Sequence, residues 1–317
     1  MRDVLWRPYQ PADAPALAEL MNALEEHAGG HASYTAEELQ SLIAALVADL
    51  GSDSSMAFAE DGSLVAAGFT TTPPAGGSRL YLTGGVHPLW RGRGLGRQIL
   101  GRHLDRARQI HRAHAPDVPW VAEAPRIPSG DQDAPRLFRR FGLAPVRYWF
   151  EMAAPTTQVP AAATPPGLLV EVYSARHEAA VHAAHMESFA DNWSFQYREL
   201  ATWLPLTVRS ASFIPELSLL AFDGPSPGAQ LTGYLLTYLH ADPSRVYVGE
   251  LGVRRPWRCL GLANALLARV LDAAGRAGHK EVSLSVDADS PTGAVGVYER
   301  AGFTVESSTV TYSTPLG

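Results

Sequence analysis

The chain has 317 residues, and its 46% hydrophobic content is enough to build two cores. A formal net charge of -6 argues against a nucleic-acid partner, because phosphate-binding surfaces carry a surplus of basic residues. The single cysteine, Cys259, excludes an internal disulfide and a Cys-x-x-Cys metal site, and it indicates a reducing compartment. The apolar runs are short and no leader sequence is evident, so we expect a soluble, cytoplasmic protein without a membrane span.

The first half of the sequence alternates between predicted strands and predicted helices. Short apolar and β-branched runs bounded by turn residues indicate strands, and apolar residues at helical spacing indicate helices. In chain order the pattern predicts a strand at 5–8, helices at 11–26 and 36–50, strands at 56–59, 63–70 and 81–86, a further helix, a strand at 120–123, a helix at 134–142 and a strand at 146–152. Residues 1–153 are therefore expected to form an α/β domain around a mostly antiparallel, mixed sheet.

A linker and a second domain of the same kind are predicted next. Residues 154–167 are rich in Pro, Thr and Ala and have no periodicity, which is typical of a linker. The later elements are strands at 168–173, 218–222, 232–239, 245–253, 281–286 and 304–312, with helices at 177–189, at 197–204, after 253 and before 301. Residues 168–317 are thus expected to repeat the first domain.

A repeated segment confirms that the two halves are related in sequence. Aligned without a gap from Gly85 and Gly252, the two copies are identical at 11 of 23 positions, where composition alone would give roughly two. Each copy leads from a strand into an Arg-x-x-Gly-x-Gly/Ala loop and then into an amphipathic helix. The loops consist of Arg91, Gly92, Arg93, Gly94, Leu95 and Gly96 in the first half, and of Arg258, Cys259, Leu260, Gly261, Leu262 and Ala263 in the second.

Such a loop is suited to binding a pyrophosphate. Its glycines let the backbone approach a bulky anion, and its amides lie at the positive end of a helix dipole. The fingerprints of the Rossmann fold and of the P-loop are both absent from the sequence. Cys259 stands where the first copy has Gly92, at a position that the motif leaves free, so we expect the cysteine to be tolerated.

At these residues the sequence resembles the GNAT superfamily of N-acetyltransferases, and the resemblance to its tandem two-domain members covers essentially the whole chain. It implies two GNAT domains, each with a bulged strand before the loop, and acetyl-CoA as acetyl donor without a metal. In that family the loop amides bind the pyrophosphate, and a backbone N–H of the preceding strand holds the thioester carbonyl. The corresponding strand ends are Val86 in the first half and Leu251, Gly252 and Val253 in the second.

The resemblance also suggests an acid for the leaving thiolate. In many GNAT enzymes this acid is the Tyr of an Ala-x-x-x-Tyr-x-x-x-Gly-Phe segment, and residues 294–303 match that pattern with Tyr298 in the acid position. In the first half Phe138 stands there instead, and a phenyl ring cannot donate a proton. The alternative for Tyr298 is a packed aromatic side chain whose hydroxyl bonds a backbone carbonyl.

Glu250 is the candidate base. It lies just before the thioester-binding strand end, where a carboxylate could take the proton of the amine directly or through water. The gapless alignment places Thr83 at the same position of the first half. The alternative is a solvated strand residue paired with an arginine, and a one-residue error in the strand would turn Glu250 away from the site.

Ser290 departs from the family pattern, and the glycines before the first loop allow two interpretations. Ser290 occupies the loop in which relatives often have an Asn that contacts CoA. Gly84 and Gly85 soften the first thioester-binding strand, which fits either a bulge or a simple edge kink.

Several histidines are not expected to have a functional role. His182 and His185, with Glu187 nearby, lack a further metal ligand, and a packed or solvated helix face explains them. His103, His111 and His114 lie among arginines after the first loop, and we expect them on a wet surface.

The predicted function is N-acetylation of a primary amine on a small metabolite, with the second half as catalyst and the first half degenerate. Two alternatives stay open: a protein or peptide N-acetyltransferase, and a non-catalytic CoA-binding regulatory protein. No sequence feature indicates a membrane or nucleic-acid partner or an oligomeric state.

Overall fold

A computed structural model describes residues 4–29, 34–226 and 228–316 of the chain. The chain divides into two compact units. Unit 1 comprises Met1–Arg147 and Thr309–Gly317, and unit 2 comprises Tyr148–Ser308. In the described part of the chain, no helix is long and apolar enough to cross a membrane.

The elements follow the predicted order along the chain. The strands are β1 (Leu5–Arg7), β2 (Ser54–Phe58), β3 (Leu64–Thr71), β4 (Arg79–Val86), β5 (Trp120–Pro128), β6 (Ala144–Pro155), β7 (Leu169–Val172), β8 (Leu219–Phe222), β9 (Leu231–Leu239), β10 (Arg245–Val253), β11 (Glu281–Asp287) and β12 (Thr304–Leu316). The helices are α1 (Ala14–His27), α2 (Ala36–Leu46), α3 (Leu50–Asp53), α4 (Leu95–His114), α5 (Ala134–Arg140), α6 (Glu178–Phe189), α7 (Leu200–Trp203), α8 (Leu262–Arg276) and α9 (Ala294–Arg300).

Each unit contains a mixed sheet, as predicted. In unit 1 the strand order is β1-β2-β3-β4-β5-β12, and in unit 2 it is β6-β11-β10-β9-β8-β7. One neighbouring pair in each unit is parallel, β4 with β5 and β10 with β11, and the remaining pairs within each unit are antiparallel. The parallel pair is joined in both cases by the long helix that follows the Arg-x-x-Gly-x-Gly/Ala loop.

The strands predicted to close each half are found in unexpected places. Residues 149–155 of β6 pair with β11 in unit 2, and residues 309–316 of β12 pair with β5 in unit 1. Each compact unit is therefore completed by a strand from the other sequence repeat. The predicted domain limits, residues 1–153 and 168–317, follow the two sequence repeats and stay a prediction.

Two apolar layers cover the sheet of unit 2. On one face the helix α8 packs Leu266 and Val270 against Val246 and Val248 of β10. On the other face α6 packs against β8 and β9, and Tyr247 of β10 joins this second layer. The strand β10 therefore alternates between the two faces up to Val248. Truncating a fully buried leucine such as Leu266 to alanine costs about 2–5 kcal/mol in such a layer.

Two local predictions are wrong. The helix predicted at 36–50 ends at Leu46, because Val47 adopts an extended conformation, and α3 then begins at Leu50. His103 and His111 are buried and do not lie on a wet surface, whereas His114 is exposed as predicted. Burial lowers the pKa of His103 to about 4, so that its ring is neutral and bonds the Thr70 hydroxyl at 2.7 Å.

Candidate active site

Both predicted loops end in the same helix start. The helix α4 begins after Gly94 at φ 85°, and α8 begins after Gly261 at φ 89°. Glycine adopts this left-handed conformation without strain. Neither glycine can cap its helix with a side chain, so the amides of the first turn are left to bind an anion.

The second position of each Arg-x-x-Gly-x-Gly/Ala motif is also left-handed. Gly92 has φ 76° in the first loop, and Cys259 has φ 62° in the second. The prediction that this position is unconstrained is therefore wrong, because a non-glycine residue is strained there. Cys259 is exposed, and its conformation is retained at a cost in stability.

The arginine that opens each motif ties the loop to the rest of its unit. In unit 2, Arg258 donates through Nε to the Val253 carbonyl at 3.1 Å and through Nη2 to the Ser188 carbonyl at 3.1 Å. In unit 1, Arg91 forms an ion pair with Asp131 at 3.6 Å. These contacts position the loop and occupy the guanidinium groups, so the backbone amides are the groups suited to an anion.

Among the remaining loop residues, the leucine at the helix start is alike in both units, whereas Arg93 and its counterpart Leu260 differ. Leu95 and Leu262 are buried under the helix starts, whereas Leu260 is exposed. Arg93 lies over the Trp90 ring at 4.4 Å and donates to the Leu89 carbonyl.

Next to each loop the parallel strands separate. Among the described residues, β10 and β11 pair from Arg245↔Glu281 to Val248↔Leu284 and no further. Both strands continue, but β10 then pairs only with β9 and β11 only with β6. We call the resulting gap between residues 249–253 and 285–287 the wedge of unit 2. Its wall includes the backbone of Leu251, Gly252 and Val253.

Unit 1 contains a corresponding wedge, since β4 and β5 pair only from Arg79↔Val121 to Tyr81↔Glu123. A wedge that leads to an uncapped helix start fits an elongated ligand with a pyrophosphate at one end. The residues present in both units thus fit the CoA moiety that the sequence resemblance implies.

Glu250 lies at a β-bulge. The pairing of β10 with β9 shifts by one residue between Val248 and Glu250, which makes Gly249 the extra residue. The Tyr238 hydroxyl donates to Glu250 Oε2 at 2.6 Å. Burial raises the pKa of Glu250 to about 7, although the bond from Tyr238 lowers it. The carboxyl group therefore exchanges a proton near neutral pH.

The strand β4 has no such bulge. It pairs with β3 residue for residue from Thr71↔Tyr81 to Ala66↔Val86. The bulge predicted for the first half is therefore wrong. Gly84 instead has φ 121°, and a side chain there would collide with the Ala67 carbonyl.

Tyr298 lies on α9 of unit 2 and is half-buried. Its ring packs edge-on against Phe303, with the ring centroids 6.0 Å apart. Burial raises the pKa of Tyr298 to about 12, so its hydroxyl keeps its proton at neutral pH. In unit 1 the buried Phe138 packs against Tyr312 at a centroid distance of 4.9 Å and offers no proton.

Ser290 lies in the turn before α9. Its hydroxyl bonds the Thr292 hydroxyl at 2.9 Å, and its carbonyl accepts from Gly293 N at 3.1 Å. These contacts order the turn, and a contact of Ser290 with CoA stays a prediction.

Sequence reasoning missed Trp149 and Glu151, which lie on the α6 face of unit 2. Trp193, which follows α6, packs edge-on against Trp149 at 6.4 Å, and Glu151 accepts from the Ser285 hydroxyl at 3.0 Å. No local motif marks Trp149 and Glu151, because β6 contributes to this sheet from the other repeat.

The family of the chain follows from comparison with known proteins. Residues 179–303 match the Acetyltransferase (GNAT) family. The solved structure of a GCN5-related N-acetyltransferase from Sphaerobacter thermophilus shares 31% identity and a TM-score of 0.77, over 99% of this chain and 96% of that one. A tandem GNAT protein from the clavulanic acid biosynthesis pathway shares the fold at 15% identity, with a TM-score of 0.70 and 99% coverage of both chains. The chain belongs to the GNAT family and is an acyltransferase with a tandem GNAT fold.

Two curated relatives of similar sequence are both named mycothiol acetyltransferase. The mycothiol acetyltransferase of Thermobispora bispora is 31% identical over 230 residues, which cover 69% of this chain and 70% of the relative. The mycothiol acetyltransferase of Salinispora arenicola is 30% identical over 266 residues, or 80% and 79% of the two chains.

Proposed function

We propose that this protein moves an acetyl group from acetyl-CoA to the primary amine of a small metabolite, and that unit 2 is the catalyst. One observation carries the proposal. Among the described residues, unit 2 has two groups suited to proton transfer at its wedge. The Glu250 carboxyl has a pKa near neutral, and the Tyr298 hydroxyl keeps its proton at neutral pH. Thr83 and Phe138 take these positions in unit 1.

The proposed roles follow from the chemistry of each group. When bound, acetyl-CoA supplies a thioester. The amides at the start of α8 hold the pyrophosphate, and a backbone N–H of residues 251–253 polarises the thioester carbonyl. Ionised Glu250 accepts a proton from the amine as the C–N bond forms. Tyr298 gives its proton to the sulfur as the C–S bond breaks.

The acceptor is proposed to be a mycothiol-related amine. The support is the name of the relatives, which are about 30% identical over more than two thirds of the chain. The face of unit 2 that bears Trp149, Trp193 and Glu151 would supply flat aromatic surfaces and a carboxylate for a polar cationic acceptor. Unit 1 is proposed to bind CoA without catalysis or to serve a structural role.

A matched pair of variants tests this proposal. Release of the free thiol of CoA is measured with a panel of amines that includes a mycothiol-related amine. We expect Glu250→Gln to lower kcat by about 10²–10⁴-fold, because the amide cannot accept the proton. Thr83→Val, at the same position of unit 1, should leave kcat unchanged. Full turnover by Glu250→Gln, or its loss in Thr83→Val, would contradict the proposal.

A further inference from the structure

One residue distinguishes β10 from β4. Both strands begin with Arg and end with Val, but β4 has 8 residues and β10 has 9. Arg79-Leu80-Tyr81-Leu82 corresponds to Arg245-Val246-Tyr247-Val248, and Thr83 corresponds to Glu250. The residue without a counterpart is Gly249, which is also the bulge residue. The second repeat therefore carries a glycine insertion directly before its candidate base.

The inserted glycine makes room for an aromatic ring. A Cβ atom on Gly249 would lie 2.5 Å from Cε2 of Tyr238, closer than side chains approach. Tyr238 can therefore lie flat against the strand only because residue 249 has no side chain. Its ring is 9% exposed and packs against Phe213 at a centroid distance of 5.8 Å. The ring is held on both sides, and its hydroxyl has a fixed position.

That hydroxyl is directed at Glu250. The donor–acceptor distance of 2.6 Å is typical of a hydrogen bond to a carboxylate. In unit 1 the counterpart of Tyr238 is Thr71, since each of them pairs with the tyrosine of its neighbouring strand. The Thr71 hydroxyl accepts from Tyr81 N at 3.2 Å.

We propose that Tyr238, seated on Gly249, is a positioning residue that fixes the Glu250 carboxylate in its ionised, proton-accepting state. The inference rests on the proposed function, in which Glu250 is the base. The hydrogen bond selects one orientation of the carboxylate and leaves Oε1 for the acceptor amine. The hydrogen bond also stabilises the ionised form of the carboxyl group, whereas burial favours the protonated form.

Among the described residues, Tyr238 is the group that forms a hydrogen bond with the Glu250 carboxylate. Tyr234 on β9 is fully buried, and its hydroxyl bonds Nδ1 of His185 on α6 at 2.8 Å. Burial lowers the pKa of His185 to about 4, so it adds no positive charge at neutral pH. Tyr247 on β10 joins the same apolar layer, and Glu151 on β6 accepts a hydrogen bond from the Ser285 hydroxyl on β11.

The test is the pH profile of kcat/KM for the full-length Tyr238→Phe variant, with the amine that the wild type turns over best. Without the hydrogen bond the pKa of Glu250 rises above 7, so the acidic limb should move to higher pH by at least half a unit. For a shift of half a unit to one unit, the rate at pH 7 should fall about two- to fivefold and recover at pH 9. KM for acetyl-CoA should stay unchanged.

Tyr173→Phe is the matched control. Tyr173 packs against the same Phe213 at 4.9 Å, and its buried hydroxyl has no partner among the described residues. Its profile should superimpose on that of the wild type. Gly249→Ala should reproduce the shift of Tyr238→Phe, because the new methyl group displaces the ring.

Three results would overturn the inference: an unshifted profile for Tyr238→Phe, a loss of equal size at every pH, or the same shift for Tyr173→Phe. If Tyr238→Phe fails to fold, as judged by its thermal transition, the profile of Gly249→Ala decides in its place. Full activity of Glu250→Gln would instead remove the proposed function on which the inference depends.

Discussion

Unit 1 and unit 2 share the backbone geometry of the helix start but differ in the side chains beside the wedge. In both, a left-handed glycine, Gly94 or Gly261, precedes an uncapped helix, and a wedge separates the parallel strands. The bulge, Glu250 and Tyr298 belong to unit 2. A binding site made of backbone amides can survive sequence change, whereas proton transfer depends on particular side chains.

A large effect, second to that of Glu250→Gln, is expected from removing the proposed acid. Tyr298→Phe keeps the ring that packs against Phe303 and loses only the hydroxyl. We expect kcat to fall by about 10²–10³-fold with little change in the melting temperature. Phe138→Leu at the matching position of unit 1 should lower stability through a cavity and leave kcat unchanged. Full turnover by Tyr298→Phe across pH would exclude the acid role and restore the packed-aromatic interpretation.

The smallest expected effect concerns the loop position at which unit 1 has the residue better suited to a left-handed conformation. Cys259→Gly gives unit 2 the glycine that unit 1 has at position 92, and it relieves the strain of a left-handed cysteine. We expect the free energy of unfolding to rise by about 0.5–1 kcal/mol, as measured by chemical denaturation. Gly92→Cys should lower it by a similar amount. Destabilisation by Cys259→Gly would show that the thiol makes a stabilising contact.

Much of the fold could be predicted from the sequence because the chain contains its own repeat. The bounds of β10 were predicted as residues 245–253, which is where the strand lies. The exchange of closing strands could not be predicted, since β6 and β12 have strand patterns that fit either sheet. Partner choice between such strands depends on the folded sheets and not on local sequence.

The candidate site was only partly predictable. The loop residues follow from a motif, and Glu250 follows from its place before the thioester-binding strand. Tyr238 lies twelve residues away on another strand, and no motif connects it with Glu250. The face on which Glu250 lies depends on the bulge at Gly249, which becomes visible in sequence only when β4 and β10 are aligned with a gap.

Blocking each helix start in turn tests most directly whether unit 2 is the catalyst. Ala263→Glu and Gly96→Glu place a carboxylate in the first turn of α8 or α4, where it repels a phosphate but favours the helix dipole. We predict that Ala263→Glu reduces acetyl transfer to the background rate while Gly96→Glu keeps the wild-type rate. Loss of transfer in Gly96→Glu with retention in Ala263→Glu would assign catalysis to unit 1 and contradict the account.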